Sequence, residues 1–67
     1  MNYPTLKDRE IIFEIARAGT MLRVTAVDVA TMTEIHLPMP ATASEAMCRQ
    51  AGLQRLTFVL KKRGIIA

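Results

Sequence analysis

From residue 10 to residue 28 the chain alternates between bulky apolar and other side chains. In Glu10-Ile11-Ile12-Phe13-Glu14-Ile15-Ala16-Arg17, Ile11, Phe13 and Ile15 share one side, with Ile12, Glu14 and Ala16 on the other. After Ala18-Gly19 the alternation resumes, with Leu22, Val24 and Ala26 set against Met21, Arg23, Thr25 and Val27. A period of two is the signature of a strand with one buried face. The two runs therefore predict a β-hairpin. A two-residue loop at Ala18-Gly19 pairs Ile15 with Leu22, Phe13 with Val24 and Ile11 with Ala26. It also sets Glu14 opposite Arg23 on the outer face. A slip of one residue would turn every side chain to the wrong face.

A third strand follows, because Glu34-Ile35-His36-Leu37 alternates again. The connecting run Asp28-Val29-Ala30-Thr31-Met32-Thr33 resembles the six-residue hairpin loop of an immunoglobulin-binding domain of streptococcal protein G. With Asp28 facing Thr33, Ala26 meets Ile35 and Val24 meets Leu37, on the core face already chosen by the first hairpin. Such a loop places its fifth residue, Met32, at positive φ. Pro38-Met39-Pro40 ends the strand, since a proline has no N–H to donate.

Thr42-Ala43-Ser44-Glu45 reads as a capping box opening a helix over 43–63, with Gly64 as its left-handed stop. Cys48, Gly52, Leu53, Leu56, Val59 and Leu60 form one stripe at the helical period, wide enough to cover a sheet face. Gly52 in mid-helix implies a close approach of helix to sheet. The expected fold class is α+β: a three-stranded antiparallel β-meander of order 1-2-3 packed against one C-terminal α-helix. Residues 1–9 are expected to form a loose tail, 10–64 the single domain and 65–67 a C-terminal tail.

Size sharpens this picture. A chain of 67 residues buries only about 60 % of its unfolded surface, so extra burial through packing or self-association is at a premium. Cys48 is the only cysteine, which excludes an internal disulfide. Cys48 and His36 fall short of a metal's usual four ligands. No cofactor is expected. No apolar run approaches the length of a membrane span, and the N-terminal residues lack the apolar stretch of a signal peptide. A cytoplasmic protein with no membrane partner is the expectation. A net charge of +3 is compatible with nucleic acid without requiring it.

Little chemistry is on offer. His36 is expected on the outer sheet face in a row with Thr25 and Ile12, and Cys48 beneath the helix, so the two should lie on opposite sides of the sheet. No phosphate loop, paired-carboxylate site or nucleophile elbow is present, and no enzyme is expected. Two kinds of surface remain. Met47, Ala51 and Phe58 lie off the core stripe of the helix, and Ile12, Met21 and Val27 project from the outer sheet face. These six are the candidate protein interface, for a homodimer or another protein. Arg55, Lys61, Lys62 and Arg63 at the basic helix end are the candidate nucleic-acid contact. A βββα order resembles the DNA-binding domains of plant ethylene-response factors and of some integrase N-termini, and the last four elements of a double-stranded-RNA-binding domain. The outer face here carries Glu10, Glu14 and Glu34 against Arg23, a poor match for a groove reader.

Several stretches together resemble a family of short bacterial proteins of uncharacterised function, known chiefly from alphaproteobacteria. They are Phe13-Glu14 before the Gly19 turn, Val24-Thr25-Ala26-Val27-Asp28, Thr31-Met32-Thr33, and Ala43-Ser44 leading to Leu53-Gln54-Arg55-Leu56-Thr57-Phe58-Val59-Leu60-Lys61. The resemblance covers residues 10–63. It implies the fold and no activity.

Overall fold

The alternating runs become three strands of eight residues, β1 (Ile11–Ala18), β2 (Met21–Asp28) and β3 (Thr33–Pro40), followed by the helix α1 (Glu45–Lys62). The sheet is antiparallel in the order β1-β2-β3. The computed structural model describes residues 6–67.

The second hairpin has the register its alternation predicts: Asp28 faces Thr33, Ala26 faces Ile35 and Val24 faces Leu37. Met32 stands at φ 57°, a left-handed conformation unusual for a side chain of this kind. The first hairpin differs from expectation by two residues. Ile15 faces Val24, Phe13 faces Ala26 and Ile11 faces Asp28. Glu14 consequently opposes Thr25 instead of Arg23, which faces Ala16. Core and outer faces survive, because a shift of two preserves side-chain parity.

The cause of the shift is main-chain direction. A residue in a ladder turns its N–H and C=O to one side only, and neighbours turn to opposite sides. The Ala41 N–H donates to the Thr20 carbonyl at 3.0 Å, so even-numbered β2 residues serve β3. Val29 donates to Glu10 at 3.1 Å, so odd-numbered ones serve β1. A tight turn must then close on Met21, leaving Gly19 and Thr20 as its central residues. Gly19 sits first, at φ 63°, as a type II′ turn requires.

The helix begins two residues later than the capping box suggests. Ser44, not Thr42, is the N-cap, accepting from the Met47 N–H at 3.1 Å. Glu45 pairs with Arg49 at 3.2 Å instead of reaching back. At the other end Gly64 takes φ 74°. Its N–H donates to Lys61 and that of Ile65 to Leu60, a Schellman closure.

The core lies between α1 and the inner sheet face: Val24, Ala26, Ile35, Cys48, Leu56 and Leu60 are buried. Ile11, Phe13, Leu37, Leu53 and Val59 pack around it half-buried. Thr57 joins the buried helix stripe, its hydroxyl donating to the Leu53 carbonyl at 2.7 Å. Two segments read as tails contribute to this core. Leu6 is buried within it, and Ile65 and Ile66 pack against it. Residues 1–5 of the expected tail lie outside the described residues.

At Gly52 the helix backbone is tight against the sheet. A Cβ there would stand 3.2 Å from the Phe13 ring, 3.4 Å from Val24 and 3.6 Å from Ala26. α1 runs over β2 and β3 and touches β1 only sparingly. Gly52→Leu is expected to lower stability in urea unfolding by about 2–3 kcal/mol through overpacking. In Gly52→Ala, a helix-propensity gain of about 1 kcal/mol roughly offsets the squeeze. Met32→Gly should raise stability by about 0.5–1 kcal/mol, the relief of left-handed strain less the extra chain entropy of glycine. An unchanged or lower melting temperature would contradict that strain.

Candidate interaction surfaces

The helix turns Met47, Ala51 and Phe58 away from the sheet at spacings of four and seven residues, which place them in one line. Met47 and Phe58 are each 55 % exposed and Ala51 is half-buried. Phe58 is flanked by cations: the Arg55 guanidinium and the Lys62 ammonium each lie 5.8 Å from its ring centre. Two of the four candidate nucleic-acid contacts are thus occupied on an aromatic face, an attraction of modest size at an exposed site. Lys61, Lys62 and Arg63 are exposed at the last turn, where the helix dipole favours positive charge.

On the opposite side of the molecule, Ile12 and Val27 are direct cross-strand partners on the outer sheet face. Ile12 is 51 % exposed and Val27 half-buried. Met21, 42 % exposed, lies at the other end of that face and is not brought together with them. It lines a shallow apolar cleft of about 270 Å³ with Arg23, His36 and Pro38.

His36 is less isolated than the sequence suggests. Its Nδ1 lies 2.9 Å from the Thr25 hydroxyl and its Nε2 3.1 Å from the Glu34 carboxylate. With Nε2–H donating to Glu34, Nδ1 accepts from Thr25. The expected row neighbour on β1, Ile12, is replaced by Glu14 through the register shift. This hydroxyl–imidazole–carboxylate chain lies on an open sheet. Thr25 is on the central strand, where the ladders engage the neighbouring amides, so no main-chain donor is positioned for an oxyanion. Cys48 is buried in the core on the other side of the sheet from His36. Among the described residues no group of three ligand side chains could hold a metal. No described helix is long and apolar enough to cross a membrane.

A family profile described as a domain of unknown function (DUF6898) matches residues 8–63. The chain belongs to that family. No curated protein and no solved structure matches it.

The stretch matched to the DUF6898 family contains a buried ion pair. Asp28 is fully buried at the end of β2. Arg9 reaches it with two parallel bonds, Nε to Oδ1 at 3.0 Å and Nη2 to Oδ2 at 2.7 Å. Thr31 donates to Oδ2 at 2.6 Å and shares a 2.7 Å bond with Thr33. A sequence signal was present: Asp28 has the parity of Leu22, Val24 and Ala26, so a carboxylate there must face inward and find a partner. The hydrogen bonds from Arg9 hold the Asp28 carboxyl below its ordinary range, against the opposing effect of burial. Arg9 is held above its own usual value by the same contact.

A depressed carboxyl pKa contributes stability that is present above the unfolded value, near pH 4, and lost as pH falls through the folded one. Asp28→Asn should therefore flatten the acid limb of a stability–pH profile measured by urea unfolding between pH 7 and pH 2. Arg9→Leu should destabilise the protein at neutral pH by leaving a buried carboxylate unpaired. An Arg9→Leu protein as stable as wild type would show the pair to be incidental.

Proposed function

We propose that the protein is a non-catalytic protein-interaction module that self-associates, and that it works in the bacterial cytoplasm. One observation carries this reading. A single helix cannot cover three strands: α1 lies on β2 and β3, so apolar side chains stay in solvent on the rest of the molecule. Ile11, Phe13 and Ile15 on β1 are only partly buried, and Ile12, Met47 and Phe58 are exposed. A small domain gains from covering such surface, and the burial available in a dimer offsets what its short chain lacks. The buried thiol of Cys48 suits a reducing compartment.

A nucleic-acid accessory role through Arg55, Lys61, Lys62 and Arg63 is the rival. Light scattering coupled to size exclusion, over a hundredfold range of concentration, should show a mass rising from monomer to dimer. A monomer at every concentration would sink self-association. In the same buffers at low salt, mixed-sequence DNA and RNA should not bind. Binding that weakens steeply with salt and is lost on removing those four charges would favour the rival.

A further inference from the structure

The two edges of the sheet are not equivalent. On β3 the odd-numbered residues bond to β2, so positions 34, 36, 38 and 40 turn their main-chain groups outward. Two of those four are Pro38 and Pro40, which have no N–H. Prolines are tolerated there because the missing donor faces away from the ladder, and they blunt the edge against further pairing.

β1 has the opposite character. Its even-numbered residues bond to β2, so Ile11, Phe13, Ile15 and Arg17 present N–H and C=O outward. None is proline, and among the described residues no strand flanks that edge. The side chains of Ile11, Phe13 and Ile15 form an inner row that α1 covers only in part, meeting it at the Phe13 ring through Gly52 and Arg49. Open main chain and partly covered apolar side chains coincide on the same residues.

We propose that this edge pairs with β1 of a second copy of the chain, antiparallel about a two-fold axis at Phe13. This rests on the reading of the protein as self-associating and locates the contact. Two-fold symmetry with both helices on one side of a continuous sheet requires residues of equal parity to face each other. Centring on Glu14 sets two carboxylates face to face, which is unfavourable. Centring on Ile15 sets Phe13 against the charged Arg17. Centring on Phe13 sets Phe13 against Phe13 and Ile11 against Ile15 on the inner face, with Ile12 against Glu14 on the outer face, so that no like charges meet over residues 11–15. That register forms about six new main-chain hydrogen bonds. The β1 edge is self-complementary in a way that neither the helix face nor the outer sheet matches. Arg49 lies 5.4 Å from the Phe13 ring centre, much as Arg55 and Lys62 flank Phe58, but the helix face offers no open main chain; on the outer sheet, Ile12 and Val27 lie among Glu10, Glu14 and Glu34.

The test is amide hydrogen exchange on the full wild-type chain at concentrations below and above dimerisation, read residue by residue. The amides of Ile11, Phe13 and Ile15 should slow at least tenfold in the dimer. Ile15→Pro, which removes an outward donor and no β1–β2 bond, should raise the dissociation constant at least tenfold with the circular dichroism unchanged. Phe58→Glu should leave it within threefold. A dimer whose three amides exchange as fast as in the monomer overturns the edge contact and leaves self-association standing. Amides protected equally at all concentrations overturn it too, since the edge is then covered within one chain. The exchange measurement decides the matter even where Ile15→Pro fails to fold. A monomer at every concentration overturns both readings.

Discussion

The seat of α1 on the sheet at Gly52 is the contact on which the rest of the architecture depends. With no side chain between them, the helix backbone comes down against Val24 and Ala26 of the central strand and the edge of the Phe13 ring. Ala26 is itself small, so the helix backbone has room to settle between it and the Phe13 ring. That approach buries Leu56 and Leu60 completely, which a chain of this size needs in order to fold at all. It also fixes where the helix lies. Seated over β2 and β3, it leaves the inner row of β1 only partly covered. The close packing that makes one helix sufficient for a core therefore produces the partly covered strip.

A second constraint closes the core at its polar end. Asp28 ends β2 facing inward and is shielded from water, so it must be paired. Arg9 supplies a two-pronged partner, and Thr31 accounts for further acceptor capacity. Replacing such a pair by apolar residues often costs nothing, so its net gift to stability is small. Its effect here is positional. Holding Arg9 against the end of β2 brings the turn at Leu6 onto the sheet, and Leu6 fills the core beside Ala26, Ile35 and Leu56. A segment with no periodicity thereby becomes part of the folded unit.

What could be read from the chain divides along the same physical lines. Faces were legible, because side-chain alternation states them residue by residue. The partners of β1 were not. Two registers differing by two residues place the same side chains on the same faces, and only main-chain direction separates them. The second hairpin commits the even-numbered residues of β2 to β3, so a first turn closing on Thr20 would ask Leu22 and Val24 to serve both neighbours. The start of the helix was ambiguous for a similar reason: Thr42 and Ser44 can both cap, and the local sequence does not rank them. Leu6 was illegible, a lone apolar residue outside any pattern. Of the candidate surfaces, the exposure of Ile12, Met21, Met47 and Phe58 could be read from periodicity. The hydroxyl–imidazole–carboxylate chain through His36 could not, since it depends on which way the Glu34 side chain turns along its own strand.

The contrast between the two edges bears on what kind of assembly the fold permits. A three-stranded sheet with both edges open would template further pairing on either side and grow without limit. Pro38 and Pro40 remove that option on β3 while costing the ladder nothing, because their nitrogens point away from β2. Growth is left to β1 alone. In the proposed pair, a contact that uses one self-complementary patch on each partner is closed: once two copies meet, the edges left are the proline-blunted β3 strands. The same consideration explains why prolines fall on the strand the helix covers. There Thr33 and Ile35 of the inner row are already buried, and a pairing partner would add hydrogen bonds but less burial. On β1 a partner supplies both. In the proposed pairing, proline on one edge and partly covered isoleucine and phenylalanine on the other would make the assembly a finite pair, and not a filament.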